Sequence, residues 1–452
     1  MKFKQVLIAN RGEIALRVIR ALKEMNIESV LVYSVEDRDS LPVKLADRAI
    51  CIGRGLPSDS YLNIPNIMTV ATLLRVDAIH PGYGFLSENA SFARVCEDYG
   101  IKFIGPKSTV LSMIKNKANV RKIAKELDAP ILPGSVEPVN SVEEAKKIAA
   151  DVGYPVMLKA SLGGGGRGIR PIRNEQELTE QYPIAASESR ASFGSDALYI
   201  EKLLDKPRHI EVQIIGDELG HIIHLGVREC SIQRNHQKII EEAPASTLKK
   251  DKVKEIESDA VKLVKNIGYS NSGTVEFLFD GSNHYLLEIN ARIQVEHPVT
   301  EETTGVDIVK TQIKVASGEK LPFHQEDINQ KGHAIEFRIN AEDVTNNFKP
   351  SAGQIEFVLW PGGRNVRIDS HIYSGYSVPP FYDSLLAKII VRGNSRKEAI
   401  EIGKRALSEM VIKGIETNIP LHLKILEDND FVKGNIHTGF IEKFLNTEEA
   451  MK

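Results

Sequence analysis

This sequence predicts an α/β and α+β protein of about three units. Three observations predict it: strand and helix signals alternate up to about residue 110, a four-glycine run lies between two strand signals near residue 165, and strands predominate after residue 332. In the first unit, Val6–Ala9, Val30–Tyr33, Ala49–Ile52, Asp77–His80 and Ile101–Ile104 are short apolar runs of strand length. Ile14, Val18, Leu22 and Met25 recur at helical spacing between the first two, so a doubly wound parallel sheet follows. Its first turn, Asn10-Arg11-Gly12-Glu13, lacks the three-glycine dinucleotide fingerprint, which disfavours a dinucleotide oxidoreductase. The loop His80-Pro81-Gly82-Tyr83-Gly84-Phe85 follows a strand end, where open sheets receive ligands; from spacing alone, a packed glycine-rich turn fits equally well.

Residues 108 to 127 read as helical and basic, and Pro130 and Pro133 then break the pattern. The second unit opens with a helix near 142 to 152 and the strand Val156–Ala160. Gly163, Gly164, Gly165 and Gly166, with Arg167 and Gly168, lead into Ile169–Ile172. A hairpin loop with bare backbone donors can fold over phosphates, and Lys159 and Arg167 suit phosphate charge. It is not a Walker loop, because the Lys-Ser/Thr ending and the following helix are missing. The strand Ala197–Leu204 ends with Glu201 beside Lys202, a donor and an acceptor within reach of a nucleotide base. His209–Ile214 alternates polar and apolar, as a half-buried strand does. Residues 228 to 238 gather cations and amides suited to oxyanion recognition.

Gly273–Phe279 and His284–Asn290 flank Asp280-Gly281-Ser282-Asn283 and predict an antiparallel hairpin. An odd loop centred on Ser282 would set Glu276 opposite Glu288, with Cβ atoms about 5 Å apart. A divalent cation relieves such a pair, and Glu276, Glu288 and Asn290 offer hard oxygen ligands. Continued as a strand, one face would carry Glu288, Asn290, Arg292, Gln294 and Glu296. Residues 305 to 317 predict a helix and 322 to 332 a connector. The third unit has strands at 334–340, 355–360, 366–373 and 385–391 and a helix near 396–410. Arg338 shares a strand face with Glu336 and Asn340.

The 58 basic and 61 acidic residues leave a net charge of −3, which argues against nucleic acid or a membrane surface as partner. Cys51, Cys96 and Cys230 show no paired spacing, so neither a disulfide framework nor a zinc site is expected. No apolar run has signal-peptide or bilayer length, so a cytoplasmic protein is expected.

From Ile8-Ala9-Asn10-Arg11-Gly12-Glu13-Ile14-Ala15 to about Asn418, the chain resembles the biotin carboxylase subunit family of the biotin-dependent carboxylases. These are of acetyl-CoA carboxylase or two-subunit pyruvate carboxylase type and belong to the ATP-grasp superfamily. The most specific marks are His80–Asn89, the glycine loop ending Arg167-Gly168, and Arg292-Ile293-Gln294-Val295-Glu296-His297-Pro298. The resemblance implies a Rossmann-like N-terminal domain over 1–114, an ATP-grasp domain over 115–318 with a mobile lid at about 131–203, and a C-terminal domain over 332–446. It also implies ATP-dependent carboxylation of biotin by bicarbonate through carboxyphosphate, as in fatty acid biosynthesis. Glu276, Glu288 and Asn290 would hold two Mg²⁺ or Mn²⁺ ions, and Lys117, Lys159, Gly163–Gly166, Glu201, Lys202, Leu204, His209, Gln233 and His236 would bind ATP, with Leu278 and Leu287 enclosing its adenine. Lys238 would neutralise the transferring phosphoryl group. Arg292, Gln294 and Val295 would hold bicarbonate, Glu296 would be its general base, Arg338 would stabilise the biotin enolate, and Tyr83 and Gly84 would line the biotin site.

Three positions depart from the family's usual residues: Ala291 for Thr, Leu162 for Gly or Ala, and Glu229 for Asp. The terminal Ala450-Met451-Lys452 echoes a biotinylation tripeptide, but no carrier-sized β structure surrounds it. Biotin is therefore expected on a separate carrier protein, with a carboxyltransferase as a further partner and the chain itself a homodimer. The alternatives are another acid-activating ATP-grasp ligase or a nucleotide-binding regulatory subunit.

Overall fold

Val6, Leu7 and Ile8 are fully buried on the first strand, Gln5–Ile8, because helices cover both faces of its sheet. The structure, a computed structural model, describes residues 2–135, 137–160 and 168–445. Leu162, Gly163–Gly166 and the terminal Ala450-Met451-Lys452 lie outside the described residues. Gln5–Ile8 runs parallel to Glu28–Ser34 on one side and Ala78–His80 on the other, and Arg48–Gly53 and Lys102–Phe103 complete a five-stranded sheet of order 3-2-1-4-5. The strand order reverses between the first and fourth strands, and the loops Asn10–Gly12 and Pro81–Phe85 leave the sheet there. The Asn10 amide ties the two by donating to the carbonyls of Pro81 (2.6 Å) and Tyr83 (2.7 Å). Gly82 passes so close, at a φ of +61°, that a Cβ there would lie 2.8 Å from the Asn10 amide nitrogen.

The helical stretch 108–127 is two helices, Ser108–Lys115 and Lys117–Glu126, because Asn116 stops the first and caps the second. A separate three-stranded sheet follows, with Val156–Ala160 between Ile169–Ile172 and Leu198–Lys202. Helices Val142–Val152 and Glu175–Phe193 pack on it around a small core of its own that includes Leu158, Leu178 and Ile200. The 305–317 expectation resolves into the helix Ile308–Ala316, preceded by His297–Thr304.

An eight-stranded sheet carries most of the remaining strands, and three two-stranded sheets in residues 342–413 hold the rest. In order across it stand His284–Asn290, Asn271–Phe279, Arg208–Gly216, Ile222–Arg234, Gln237–Ala243, His333–Asn340, Leu385–Gly393 and Val366–Ser370, with every neighbouring pair antiparallel. Three of the strands expected as a third unit thus extend the sheet of the second, whereas the one expected at 355–360 is Phe357–Leu359, which pairs with Val411–Lys413 in a two-stranded sheet of its own. Arg208–Gly216, expected half-buried, is buried on both faces: Glu211 and Gln213 are fully covered, because its polar face forms the floor of a site. The segment after Asn290 is not strand. Residues 291 to 296 are irregular and lead into the helix at His297, so the alternation expected through Glu296 ends six residues early.

The two halves of this sheet are stapled at Glu242, which accepts from Arg396 at 2.7 and 2.8 Å and lies 2.7 Å from His333. Burial opposes ionisation of Glu242, yet His333 and Arg396 hold its carboxyl down at about 2. A depressed acid contributes stability above its unfolded value near 4.5 and loses it as pH falls through about 2. Glu242→Gln should therefore cost about 3–5 kcal/mol near neutral pH, a deficit that shrinks below pH 4.5 in denaturant titrations.

Candidate active site

A row of four ionisable residues crosses the floor of the sheet. Glu288 pairs with Glu276, Glu276 with Glu211, and Glu211 with Arg228, each directly opposite on neighbouring strands, so all four share one face. The expected pairing of Glu276 with Glu288 is present, but its cause is different. Phe279 pairs with His284 and Phe277 with Leu286, so the turn Asp280–Asn283 has an even count. A bulge at Leu287 then shifts the register by one and aligns the two acids. The bulge also lets consecutive residues face the same way: Leu287 and Glu288 both line the cavity above, Leu287 with Leu278 and Glu288 with Glu276 and Asn290.

Three acids in a row, with Glu276 and Glu211 buried and Glu288 part-exposed, require cations. Lys238 Nζ reaches Glu276 at 3.0 Å and Glu296 at 2.7 Å and also pairs with Glu211. Arg228, fully covered, donates to Glu211 at 3.0 and 3.1 Å and to Gln213 at 2.6 Å, and also holds Gln294. Burial alone would raise these acids. Lys238, with His209 at Glu276 and Arg228 at Glu211, instead holds Glu276 well below the carboxylate range and Glu211 at about 2. Glu288 behaves oppositely: burial and Glu276 raise it, and its cation Lys117 stands 3.9 Å away.

Glu288 is thus the acid still short of positive charge, and with Glu276 and Asn290 it fits a divalent ion bound through hard oxygens. Asn290 now donates its amide nitrogen to Glu276 at 2.7 Å and accepts from Arg292 at 3.0 Å, so a half-turn of the amide presents its oxygen beside Glu276.

The cavity encloses about 860 Å³ between this floor and the small three-stranded sheet. Its lining includes Lys117, Lys159, Lys202, Leu204, His209, Gln233, His236, Leu278 and Leu287. Lys238, Glu276, Glu288, Asn290, Arg292, Gln294, Val295 and Glu296 line it as well, as do Tyr83, Gly84 and Arg338. Glu201 does not line it. Its side chain is spent on Arg121 (2.6 Å) and Lys159, so the expected acceptor for a base is instead a brace between the sheet and the helix Lys117–Glu126.

Sequence reasoning missed the supports. Glu88, from the His80–Asn89 segment, accepts from Arg292 at 3.0 Å and from the Ala291 backbone at 2.9 Å. Lys388, buried in an apolar strand, donates to the Val295 carbonyl at 2.8 Å and pairs with Glu13 at 3.1 Å, and Glu13 accepts from the Tyr83 hydroxyl. A lone lysine in the run Leu385–Val391 was the available signal. Glu229 pairs with Arg208 and Ser231, and among the described residues none of the hydrogen bonds of the neighbouring Arg228 goes to its carboxylate.

A cleft of nucleotide size, with acids facing each other on its floor and a carboxylate base between a lysine and an arginine, defines an ATP-dependent ligase that activates an acid. Known relatives make this specific. Residues 2–111 match the biotin carboxylase N-terminal domain, 116–324 the carbamoyl-phosphate synthase L chain ATP-binding domain, and 336–443 the biotin carboxylase C-terminal domain. Biotin carboxylase 1 of Bacillus subtilis is 51% identical over 98% of each chain, and a pyruvate carboxylase subunit from Methanothermobacter thermautotrophicus is 50% identical over 98% of this chain and 90% of its own. The biotin carboxylase domain dimer of Hydrogenobacter thermophilus 2-oxoglutarate carboxylase, solved with MgADP, ADP and bicarbonate, superposes with a TM-score of 0.96 at 47% identity, covering 100% of this chain and 99% of its own. The chain belongs to the biotin carboxylase family.

Leu287→Ala should raise the KM for ATP about tenfold and leave kcat little changed, since one apolar wall is worth about 1–3 kcal/mol of uniform binding. Steady-state kinetics at saturating bicarbonate check this.

Proposed function

We propose that this chain carboxylates biotin presented by a carrier protein, at the expense of ATP and with bicarbonate as the carbon source. The observation that carries the reading is the position of Glu296. Its carboxylate lies 2.7 Å from Lys238 on the nucleotide side and 2.9 Å from Arg338 on the other. A base at that point reaches a small acid held between two substrates. Glu296 takes the bicarbonate proton, and the bicarbonate oxygen displaces ADP from the γ-phosphate to form carboxyphosphate. Lys238 neutralises charge on the phosphoryl group in transfer. Carboxyphosphate then breaks its C–O bond, CO₂ passes to N1′ of biotin, the phosphate released takes the N1′ proton, and the proton on Glu296 is released to solvent, which restores the base.

Arg292, braced by Glu88, and Gln294, held by Arg228 and donating to Glu276 at 2.7 Å, grip bicarbonate with the Val295 backbone. Arg338 supplies a permanent charge to the biotin enolate, with Tyr83 and Gly84 beside it. Lys117, Lys159, Lys202, Leu204, His209, Gln233 and His236, with the glycines 163–166, hold ATP between Leu278 and Leu287. Glu276, Glu288 and Asn290 would hold Mg²⁺ or Mn²⁺, which when bound screens the phosphate charge.

We further propose boundaries at 1–114, 115–318 and 332–446 with a lid over 131–203, a homodimer, a separate carboxyltransferase partner and a cytoplasmic location. Among the described residues no helix is long and apolar enough to cross a membrane. ADP release by the purified chain should require Mg-ATP, bicarbonate and free biotin together. Turnover that ignores biotin, or that needs an amine, would overturn the reading.

A further inference from the structure

Two buried acids have no part in the scheme above. Glu241 and Glu336 face each other directly across the ladder joining Gln237–Ala243 to His333–Asn340, and both are fully covered. Both oxygens of Glu336 and Oε2 of Glu241 have no hydrogen-bond partner among the described residues. Oε1 of Glu241 accepts from Arg338, and another nitrogen of the same guanidinium donates to Glu296 at 2.9 Å. Arg338 therefore bridges two carboxylates, one that the reaction protonates and one that it does not.

When Glu296 takes the bicarbonate proton its charge disappears, and with it one of the two anchors of Arg338. This happens at the step before the guanidinium is needed at biotin. We propose that Glu241 is the positioning residue that keeps Arg338 at the biotin end of the cavity while Glu296 holds the proton, and that Glu336 is carried as the neutral acid, so that Glu241 alone bears the counter-charge. The inference rests on the carboxylation reading given above.

The geometry supports both halves. Carboxylates opposed across a dry ladder both ionise only where cations stand between them, as Lys238 does at Glu211 and Glu276; here Arg338 bonds Glu241, and no cation among the described residues bonds Glu336. A proton on Glu336 donated to Oε2 of Glu241 would satisfy two of the three unpaired oxygens at once. Lys388 also faces Glu336, but its ammonium is engaged by Val295 and Glu13. Glu296 and Lys238 face Glu241 from the cavity. Burial pushes Glu336 well above the carboxylate range; it raises Glu241 to about 7, with Arg338 pulling the other way.

The test compares the full-length chain with Glu241→Gln and Glu336→Gln, using Mg-ATP, bicarbonate and free biotin. For Glu241→Gln, kcat/KM for biotin should fall about 10- to 100-fold, the worth of one charged hydrogen bond, while the KM values for ATP and bicarbonate stay within about twofold. Glu336→Gln should match the wild type in all three. Unchanged biotin kinetics in Glu241→Gln, equal losses for all three substrates, or a comparable loss in Glu336→Gln would each overturn the proposal. Should Glu241→Gln not fold, Glu241→Asp, which keeps the charge one methylene short, reads the same split between substrates. A wild-type chain without biotin-dependent turnover would instead remove the carboxylation reading itself.

Discussion

Glu296→Gln should abolish bicarbonate-dependent ADP release, lowering kcat by about 10² to 10⁴, the range of a lost general base, while the Kd for ATP changes little. The two effects separate because of how Lys238 is held. Its ammonium keeps Glu276 at 3.0 Å and Glu211 when Glu296 is neutral, so the nucleotide end retains its charge pattern. Calorimetric titration with ATP beside a coupled ADP assay measures both quantities. A collapse of ATP binding together with turnover would show that Glu296 is a structural anion and not the base.

Lys238→Met should have the second large effect, on two quantities at once. Without the ammonium, Glu211, Glu276 and Glu296 lose the cation they share, and an uncompensated buried charge costs about 3–5 kcal/mol. The transferring phosphoryl group also loses its stabilising charge, worth about 10² to 10³ in kcat. The pH dependence has a definite sign. Lys238 holds these acids below their ordinary values, so in its absence their values rise and the folded state gains protons relative to the wild type. The stability deficit should therefore narrow on going from pH 8 to about 5. A thermal melt that matches the wild type at pH 8 would contradict this account.

The sequence made the chemistry legible where residue types carry it directly: the acids of the hairpin, the cations of 228–238 and the cluster Arg292–Glu296. The parallel sheet was equally visible, because strands covered on both faces are written as unbroken apolar runs. What stayed hidden was set by pairing between distant segments. Glu211 read as the wet side of a half-buried strand, since alternation shows that a face is polar but not what lies above it. The bulge at Leu287 left no local mark, and the two acids were aligned for the wrong reason because even turn plus bulge and odd turn give the same pairing at Glu276. The strand expected through Glu296 failed because the cluster there is held by Glu88, Arg228 and Lys388, each contributed by a remote segment, and by no ladder of its own.

The eight-stranded sheet passes from Gln237–Ala243 to His333–Asn340 without a seam. A chain cut near residue 330 would leave Gln237–Ala243 as a raw edge with unpaired donors and acceptors, and Glu242 would lose both His333 and Arg396. Such a fragment should precipitate or self-associate in light scattering, so the nucleotide-binding half is not a portable module. The sheet also acts as a fixed ruler: Lys238 and Arg338 stand on paired neighbouring strands, so their separation is built into one lattice of backbone hydrogen bonds.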